Sequence, residues 1–406
     1  MSPSIFIEPL SKIVVVLIGL MTAAAYLVLL ERWVAAWVQD RIGPNRVGVP
    51  LTNIRLFGLG QPLADGVKFL FKQEITPSHV DRVLFFLGPL VMFVAAVSVF
   101  AVVPFGSVIP PEVFPKSWGI ERPISLSIAP GFDVGVLYVF ALGGIAVYGV
   151  VLGGWASNTK YSFLGGLRSG AQLISYELPL GLGVLGVVLA TGSLRLDAII
   201  AQQAQTGLWN VMSQPLGFLV FCVAAFAEAA RLPFDLPEAE QELVGGYHTE
   251  YSGVKLMMYM VAEFLHMVLA AFLIVILFLG GWHCWGLTGS TDAVAWPIAL
   301  VRVVVLAVKV MGMILFFMLA RWSWPRFRYD QLMQLGWKIM IPWGTINLAA
   351  VAAWLEFGDR AARAMSLSFG SATIAVGWSV LLMVWVATVA ADPTRGDRPS
   401  RREATK

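Results

Sequence analysis

The sequence predicts an all-α polytopic membrane protein with about nine transmembrane helices, and three observations support that fold class. Hydrophobic residues make up 58% of the 406 residues, whereas charged residues make up only 13%; soluble proteins carry about 25%. The mean hydropathy is +0.76. Apolar runs of membrane-spanning length recur along the chain, separated by short polar segments.

Nine apolar windows are long enough to cross the hydrocarbon core of a bilayer. They fall near residues 11–30, 83–105, 134–154, 170–191, 214–230, 257–281, 297–320, 339–355 and 371–391. The first window lacks an Ala-x-Ala-like cleavage site and continues into a charged segment, which predicts an uncleaved first span. The eighth window is the weakest, because it is short and contains Pro342.

The distribution of Lys and Arg between alternate loops predicts the orientation. One set of loops holds twenty of the twenty-eight basic residues and consists of 31–82, 155–169, 231–256, 321–338 and the tail from 392. Because cytoplasmic loops are enriched in Lys and Arg, this set is predicted to be cytoplasmic. The N-terminus is then outside and the C-terminus inside. The outward segment 104–132 is rich in proline, and the basic tail 392–406 is predicted to be disordered.

The first cytoplasmic loop carries two features. Arg41 and Arg46 flank a Gly-Pro-Asn turn, and residues 60–74 follow with helical periodicity. In that second segment apolar and charged residues occupy different faces; the apolar ones are Leu63, Val67, Leu70 and Phe71, and the charged ones are Asp65, Lys68 and Lys72. This pattern predicts an amphipathic helix in the membrane interface. It is either a simple anchor or a doorway for an amphiphilic ligand that contacts Asp65 and Lys68.

The segment 228–253, the acidic loop below, concentrates carboxylates against Arg231 as its basic partner. The carboxylates are Glu228, Asp235, Glu238, Glu240, Glu242 and Glu250. Carboxylates crowded at a membrane boundary repel one another and resist desolvation, which favours protonation of some of them. The segment therefore suits proton uptake; the alternative is a solvated loop between two helices.

Ionisable residues inside the predicted spans are few. They are Glu177, Glu228, Glu263, His266, Arg302 and Lys309. Because buried charge is costly in lipid, such residues normally face a protein interior or water and mark a pathway. Structural ion pairs are the alternative, and Arg302 and Lys309 are its strongest candidates because isolated basic residues need carboxylate partners.

The last cytoplasmic loop interleaves arginines with aromatic residues. The arginines are Arg321, Arg326 and Arg328, and Asp330 follows. Positive-inside anchoring explains this composition, and docking of an acidic protein partner at the membrane face is the alternative.

Several chemistries leave no signature in the chain. Cys222 and Cys284 lack metal-ligand spacing and are predicted to be free thiols. The sequence contains no Walker loop, no dinucleotide-binding glycine motif and no paired intramembrane histidines for haem. Redox chemistry would therefore depend on other subunits or on a diffusible molecule, and no metal site is predicted.

Taken together, the motifs resemble the membrane subunit beside the quinone site of bacterial respiratory complex I, NADH:quinone oxidoreductase. Those that carry the resemblance are Glu31-Arg32, Gln39 to Asn45, Gln61-Pro62 with Ala64-Asp65 and Lys68, residues 154–161, residues 167–177, residues 227–251, Ala262-Glu263-Phe264 and residues 325–331. They occur in the expected order across roughly residues 20 to 345. Any one of them is weak, but the set is specific.

The resemblance implies a subunit that joins the redox arm of the complex to its proton-pumping membrane arm. It implies a family core over 1–356 with eight spans, an additional C-terminal span within 357–391, and the tail 392–406. The substrate would be a quinone, either ubiquinone or menaquinone. FMN and iron–sulfur clusters would be held by partner subunits, which include the peripheral quinone-site and iron–sulfur subunits and the antiporter-like membrane subunits. The Ala- and Arg-rich composition favours a bacterial chain, in the cytoplasmic (cell inner) membrane, with no nucleic-acid partner.

The resemblance also implies roles for individual residues. Quinone access would involve Arg32, Gln39, Arg41, Asp65 and Lys68. Proton coupling would involve Glu177, Glu228, Asp235, Glu238, Glu240, Glu242, Glu250 and Glu263. The interface with the peripheral arm would involve Arg231, Arg321, Arg326, Arg328 and Asp330.

Three other functions compete with this hypothesis. A homologous subunit of a membrane-bound hydrogenase or a ferredoxin-driven complex would share the fold, but the intact Gly-Pro-Asn and Gln-Pro-x-Ala-Asp motifs favour the quinone enzyme. A stand-alone proton-coupled transporter would use Glu177 and Glu263 and would purify without redox partners. A structural scaffold would tolerate substitution of the acidic loop.

Overall fold

The computed structural model describes residues 4–48, 57–113, 123–236, 240–289, 295–364 and 368–390. Within these ranges the chain is almost entirely helical. The β-structure of the described chain is one antiparallel pair of two-residue strands, β1 (Val108–Ile109) and β2 (Ile124–Ser125), in the outward segment. The predicted all-α fold class is confirmed. The predicted basic tail, 392–406, lies outside the described residues.

The helices follow the apolar windows in order. They are α1 (Ser4–Val38), α2 (Gln61–Phe71), α3 (Arg82–Ser98), α4 (Gly135–Ala156), α5 (Lys160–Thr191), α6 (Leu196–Thr206), α7 (Asn210–Ser213), α8 (Pro215–Glu228), α9 (Glu240–Leu243), α10 (Gly253–Phe278), α11 (Trp296–Ser323), α12 (Tyr329–Gln334), α13 (Ile341–Ala364) and α14 (Phe369–Ala390). Short 3₁₀ turns connect several of them.

Eight helical stretches of the described residues are long and apolar enough to cross a membrane. The fifth predicted window, 214–230, differs because its helix α8 has only 14 residues. At a rise of ~1.5 Å per residue it is about 21 Å long, shorter than the ~30 Å hydrocarbon core. Pro215 sets its start, since proline lacks the N–H that a continuing helix would need. Glu228 therefore lies at the end of a short buried helix.

The eighth window is longer than predicted. Helices α12 and α13 are joined by a π-helical segment, Leu335–Met340, so that Tyr329–Arg363 forms one 35-residue stretch. Pro342 lies just after the π-helical turn, where it is accommodated at the start of α13. Because α13 continues to Ala364, residue 356, where the family core was expected to end, lies within this helix.

The amphipathic helix is confirmed as α2, Gln61–Phe71, which has no buried residues and exposes Leu63 and Phe71. Proline at its first turn and an unwound Lys72 fix its limits. It packs against α1 and α10. Helix α10 is the most buried of the long helices and also packs against α3, α8 and α11, which places it at the centre of the bundle.

Candidate functional site

A small internal cavity brings together the acidic residues of three helices. Its volume is about 40 Å³. It is lined by Glu177 from α5, Glu228 from the end of α8, and Glu263 and His266 from α10. One water needs roughly 10–15 Å³, so this carboxylate cavity has room for water between the side chains. Four of the six ionisable residues found in the predicted spans therefore meet at one place.

Tyr247 connects the carboxylate cavity to the acidic loop. Its side chain is 2% exposed and packs edge-on against Tyr259, with ring centroids 5.1 Å apart. Its hydroxyl donates to Oε1 of Glu263 at 2.5 Å. The sequence analysis missed Tyr247, although its place between Glu242 and Glu250 in the acidic loop was an available signal.

Gln172 fixes the beginning of the acidic loop. Its amide Nε2 donates to the carbonyl oxygens of Ala227, at 2.8 Å, and Phe234, at 2.7 Å. Gln172 is fully buried on α5, one and a half turns before Glu177. The amide therefore holds the chain on both sides of Glu228 against the helix that carries Glu177.

The remaining acidic-loop residues lie in different surroundings. Glu242 is 61% exposed and pairs with Arg168 at 2.7 Å. Glu250 is half-buried in the turn before α10, and the carbonyl oxygen of Asp235 accepts a hydrogen bond from Arg326. Glu238 and the side chain of Glu240 lie outside the described residues.

The predicted access residues form a connected group at one point only. Arg32 of α1 pairs with Asp65 of α2 at 2.9 Å, and Lys68 approaches the same carboxylate at 3.7 Å. Gln39 and Arg41 instead bond to each other at 2.7 Å on the exposed loop. The Arg32–Asp65 pair therefore ties the amphipathic helix to the first span.

Glu31, next to Arg32, is a meeting point that the sequence analysis did not single out. Its carboxylate pairs with Arg231 at 3.4 Å and also with Arg321. The Glu31 side chain is 12% exposed, and the Arg231 guanidinium also lies 4.3 Å from the Phe264 ring centroid. One carboxylate thus binds the first span to the acidic loop and to the end of α11. The available signal was the charged doublet at the end of the first apolar window.

The predicted interface arginines are used in two ways. Arg231 and Arg321 bind Glu31, and Arg326 binds the Asp235 carbonyl oxygen, so these three are engaged within the chain. Arg328 and Asp330 have side chains that are 82% and 67% exposed. These last two face outward from the described chain.

An apolar cavity of about 400 Å³ lies beside the Arg32–Asp65 pair. Its lining comes from α1, α10, α11 and the residue pair before α2, and it is made of Ala23, Tyr26, Leu27, Leu29, Leu30, Trp33, Leu59, Val268, Phe272, Ala307, Val310, Met311 and Ile314. No charged group is among these residues. Its size and lining are those of a pocket for an apolar ligand.

Lys309 is not held as the ion-pair alternative predicts. Its ammonium donates to three backbone carbonyl oxygens after α10, those of Leu279, Gly281 and His283, at 2.6–3.0 Å. The same ammonium lies 4.3 Å from the Trp209 ring centroid. Lys309 therefore caps a helix end, where carbonyl dipoles stabilise its charge. Arg302, one span-face neighbour of Lys309, donates to the carbonyl oxygen of Thr288 at 3.2 Å.

Within the described ranges, no three His, Cys, Asp or Glu side chains come together as a metal site. The two cysteines are free thiols, as predicted. The chemistry that the described side chains offer is thus proton exchange and binding of an apolar molecule.

Comparisons with known proteins match most of the chain. The NADH dehydrogenase family model matches residues 11–352. A relative from Syntrophotalea carbinolica, named as the H-type subunit of NADH-quinone oxidoreductase, is 44% identical over 344 residues, which cover 85% of this chain and 95% of the relative. Similar proteins come from Cytophaga hutchinsonii, at 45% identity over 81% of this chain and 91% of the relative, and from Geobacter metallireducens, at 44% over 85% and 95%. Both carry the same name as the first relative, with a number added.

Proposed function

Because the chain belongs to the NADH dehydrogenase family and is a membrane subunit of NADH-quinone oxidoreductase, we propose that it forms part of the quinone chamber and couples quinone reduction to proton translocation. The observation that carries this proposal is the carboxylate cavity, where Glu177, Glu228 and Glu263 share one water-sized space. Acidic groups collected inside a membrane protein are costly unless they serve a proton or ion pathway.

The apolar cavity supports a role in quinone binding. Quinones of membranes have a polar ring and a long apolar tail, and the cavity between α1, α10 and α11 offers about 400 Å³ of apolar lining. Asp65, with Arg32 and Lys68 around it, lies at the adjoining end of α1 and provides polar contacts for the ring as it enters. Gln39 and Arg41 would support the same access route.

Reduction to quinol takes up electrons and protons together, and the redox centres that supply the electrons belong to partner subunits. The negative charge that develops on the quinone would repel the carboxylates of the acidic loop and raise their proton affinity. Tyr247 and Gln172 connect that loop to Glu263 and Glu177. Groups that interact this closely titrate together rather than one by one.

The size of this coupling is sufficient for proton translocation. Two charges about 4 Å apart interact by roughly 4 kcal/mol at an effective dielectric of ~20. Moving one charge across ~100 mV costs about 2.3 kcal/mol. A change of one charge near the carboxylate cavity is therefore comparable in energy with moving about two charges across the membrane potential.

The same proposal assigns the surroundings of the chain. The loops rich in Lys and Arg face the cytoplasm, so the N-terminus is outside and the C-terminus inside the bacterial cytoplasmic membrane. Arg328 and Asp330, which are exposed, would contact the peripheral arm. Glu177 and Glu263 would pass protons toward the antiporter-like membrane subunits.

Glu228→Gln tests the proposal, because it keeps the size of the side chain but removes its proton exchange. In membranes containing the whole complex we expect assembly to be retained and proton translocation per NADH oxidised to fall. Glu356→Gln is the matched control, since Glu356 is an exposed carboxylate near the end of α13. Wild-type proton translocation in Glu228→Gln would reject the coupling role.

A further inference from the structure

Two adjacent glycines in α4 face the two carboxylates of the carboxylate cavity. A Cβ atom built on Gly143 would lie 3.3 Å from Oε1 of Glu228, and one built on Gly144 would lie 3.5 Å from Oε1 of Glu177. In each case that carboxylate oxygen is the one heavy atom of the described chain within 4 Å, outside the glycine's own helical backbone and neighbours. Helix α4 therefore presents bare backbone to both acidic groups.

Helix packing does not account for this pair as it does for other glycines of α4. A Cβ on Gly149 would lie 2.7 Å from the backbone nitrogen of Met92, and a Cβ on Gly154 would lie 2.7 Å from the carbonyl oxygen of Ser162. Those two glycines are needed for the close approach of neighbouring backbones. No neighbouring backbone of the described chain comes this near Gly143 or Gly144.

Glycine is disfavoured in the middle of a helix relative to alanine, so two in succession need a reason. Gly143 itself lines the carboxylate cavity, together with Glu177 and Glu228. The cavity is about 40 Å³, a few times the space that one water requires. A methyl group at position 143 would occupy part of that space and press on the Glu228 carboxylate.

We propose that Gly143 and Gly144 are positioning residues for proton transfer, because they keep open the space through which water reaches the Glu228 and Glu177 carboxylates. This inference rests on the proposed function, since it assigns to α4 the spacing of the proton path. The glycines exchange no proton themselves. They act by leaving the carboxylate oxygens hydrated and free to change partners.

The test uses the whole complex in inverted membrane vesicles, with a short-chain ubiquinone as the electron acceptor. Proton translocation is followed by quenching of an acridine dye and divided by the rate of NADH oxidation. Gly143→Ala is compared with Gly181→Ala in α5, where a Cβ atom would meet nothing within 4 Å. We expect Gly143→Ala to lower the ratio about threefold to tenfold, by displacing a reacting group a fraction of an ångström, and Gly181→Ala to leave it unchanged.

Two further measurements separate positioning from a general packing defect. Infrared difference spectra on reduction should show a shifted carboxyl C=O band in Gly143→Ala and an unshifted band in Gly181→Ala. In a Glu228→Asp background, where the carboxylate is withdrawn by one methylene, Gly143→Ala should cause no additional loss. An unchanged ratio and band, or an equal loss in both backgrounds, would overturn the inference.

Gly144→Ala keeps the test decisive if Gly143→Ala fails to assemble, because its Cβ atom would make only an ordinary contact with Glu177. We expect a shifted carboxyl band in this variant, and an unshifted one would reject the inference. The two proposals fail separately. Normal pumping in Glu228→Gln rejects the proposed function, whereas impaired pumping there with a harmless Gly143→Ala rejects only the role of the glycines.

Discussion

The hydroxyl of Tyr247 lies 2.5 Å from Oε1 of Glu263 and donates a hydrogen bond to it. Tyr247 belongs to the acidic loop and Glu263 to the central helix α10. This bond joins the two groups of carboxylates that the sequence analysis treated separately. It makes the orientation of Glu263 depend on the conformation of the loop.

Tyr247→Phe tests that dependence. The ring keeps its contacts with Tyr259 and His248, so we expect a loss of stability of only about 0.5–1.5 kcal/mol. Proton translocation per NADH should fall, because Glu263 loses a partner that orients it. Tyr138→Phe, which removes a hydroxyl bonded at 3.3 Å to the Ser98 carbonyl oxygen elsewhere, is the control. Equal translocation in the two variants would contradict the role of Tyr247.

Glu31→Gln should destabilise the assembled subunit. The substitution leaves the guanidinium groups of Arg231 and Arg321 facing each other without a counter-charge in a largely buried position. Breaking a buried pair in this way costs about 3–5 kcal/mol. Thermal unfolding of the purified complex measures the effect. Glu8→Gln removes an exposed pair with Lys12 and should change stability by less than about 1 kcal/mol; similar melting of both variants would disprove the burial argument.

The Arg32–Asp65 pair predicts a kinetic rather than a stability phenotype. Both side chains are partly exposed, so the pair contributes about 0.2–1 kcal/mol. We expect Arg32→Gln to raise KM for quinone while melting stays the same, because the polar contacts at the access point are altered. Arg46→Gln, on the same loop, serves as a control. A lowered melting temperature with unchanged KM would assign the pair to structure alone.

Lys309→Met should loosen the segment after α10. Without the ammonium, the carbonyl oxygens of Leu279, Gly281 and His283 lose their common donor. Each buried acceptor left unsatisfied costs about 1–3 kcal/mol. Faster amide exchange over residues 279–289 than in wild type is the expected result, with no change in α14. Unchanged exchange there would show that the carbonyl groups find other partners.

His283 gives the outward face a pH dependence. Burial lowers the pKa of His283 below its ordinary value of 6.5, and the nearby positive charges of Lys309 and Arg302 lower it further. The unfolded chain then binds more protons than the folded one, so stability is full above about pH 6.5 and falls as the pH drops toward the folded pKa. Melting temperatures measured from pH 7.5 to 5 should decline less steeply in His283→Gln. Parallel curves would exclude this contribution.

The sequence predicted the long helices and the amphipathic helix well because hydropathy and periodicity are local properties. It did not predict the short length of α8, since a hydropathy window measures composition and does not register that Pro215 starts a new helix. The extension of the eighth span on the N-terminal side of Ile339 was missed for a similar reason. Its first residues, Tyr329 to Lys338, are polar enough to resemble a loop.

The candidate site was predictable by residue type but not by pairing. Acidic residues in apolar surroundings are visible in a sequence, and Glu177, Glu228 and Glu263 were found that way. Glu31 meets Arg231 and Arg321 across separations of 200 and 290 residues, and nothing local indicates such partners. Lys309 was expected to need a carboxylate because backbone carbonyl groups at a helix end leave no mark in the sequence.

Helix α10 gives the two cavities a common wall. Val268 and Phe272 border the apolar cavity, whereas Glu263 and His266, on earlier turns, border the carboxylate cavity. A close-packed helix yields little to pressure, so a bulky guest on one side shifts the partition as a stiff body. Whatever occupies the greasy chamber is thereby sensed mechanically in the acidic one, without any atom having to travel between them.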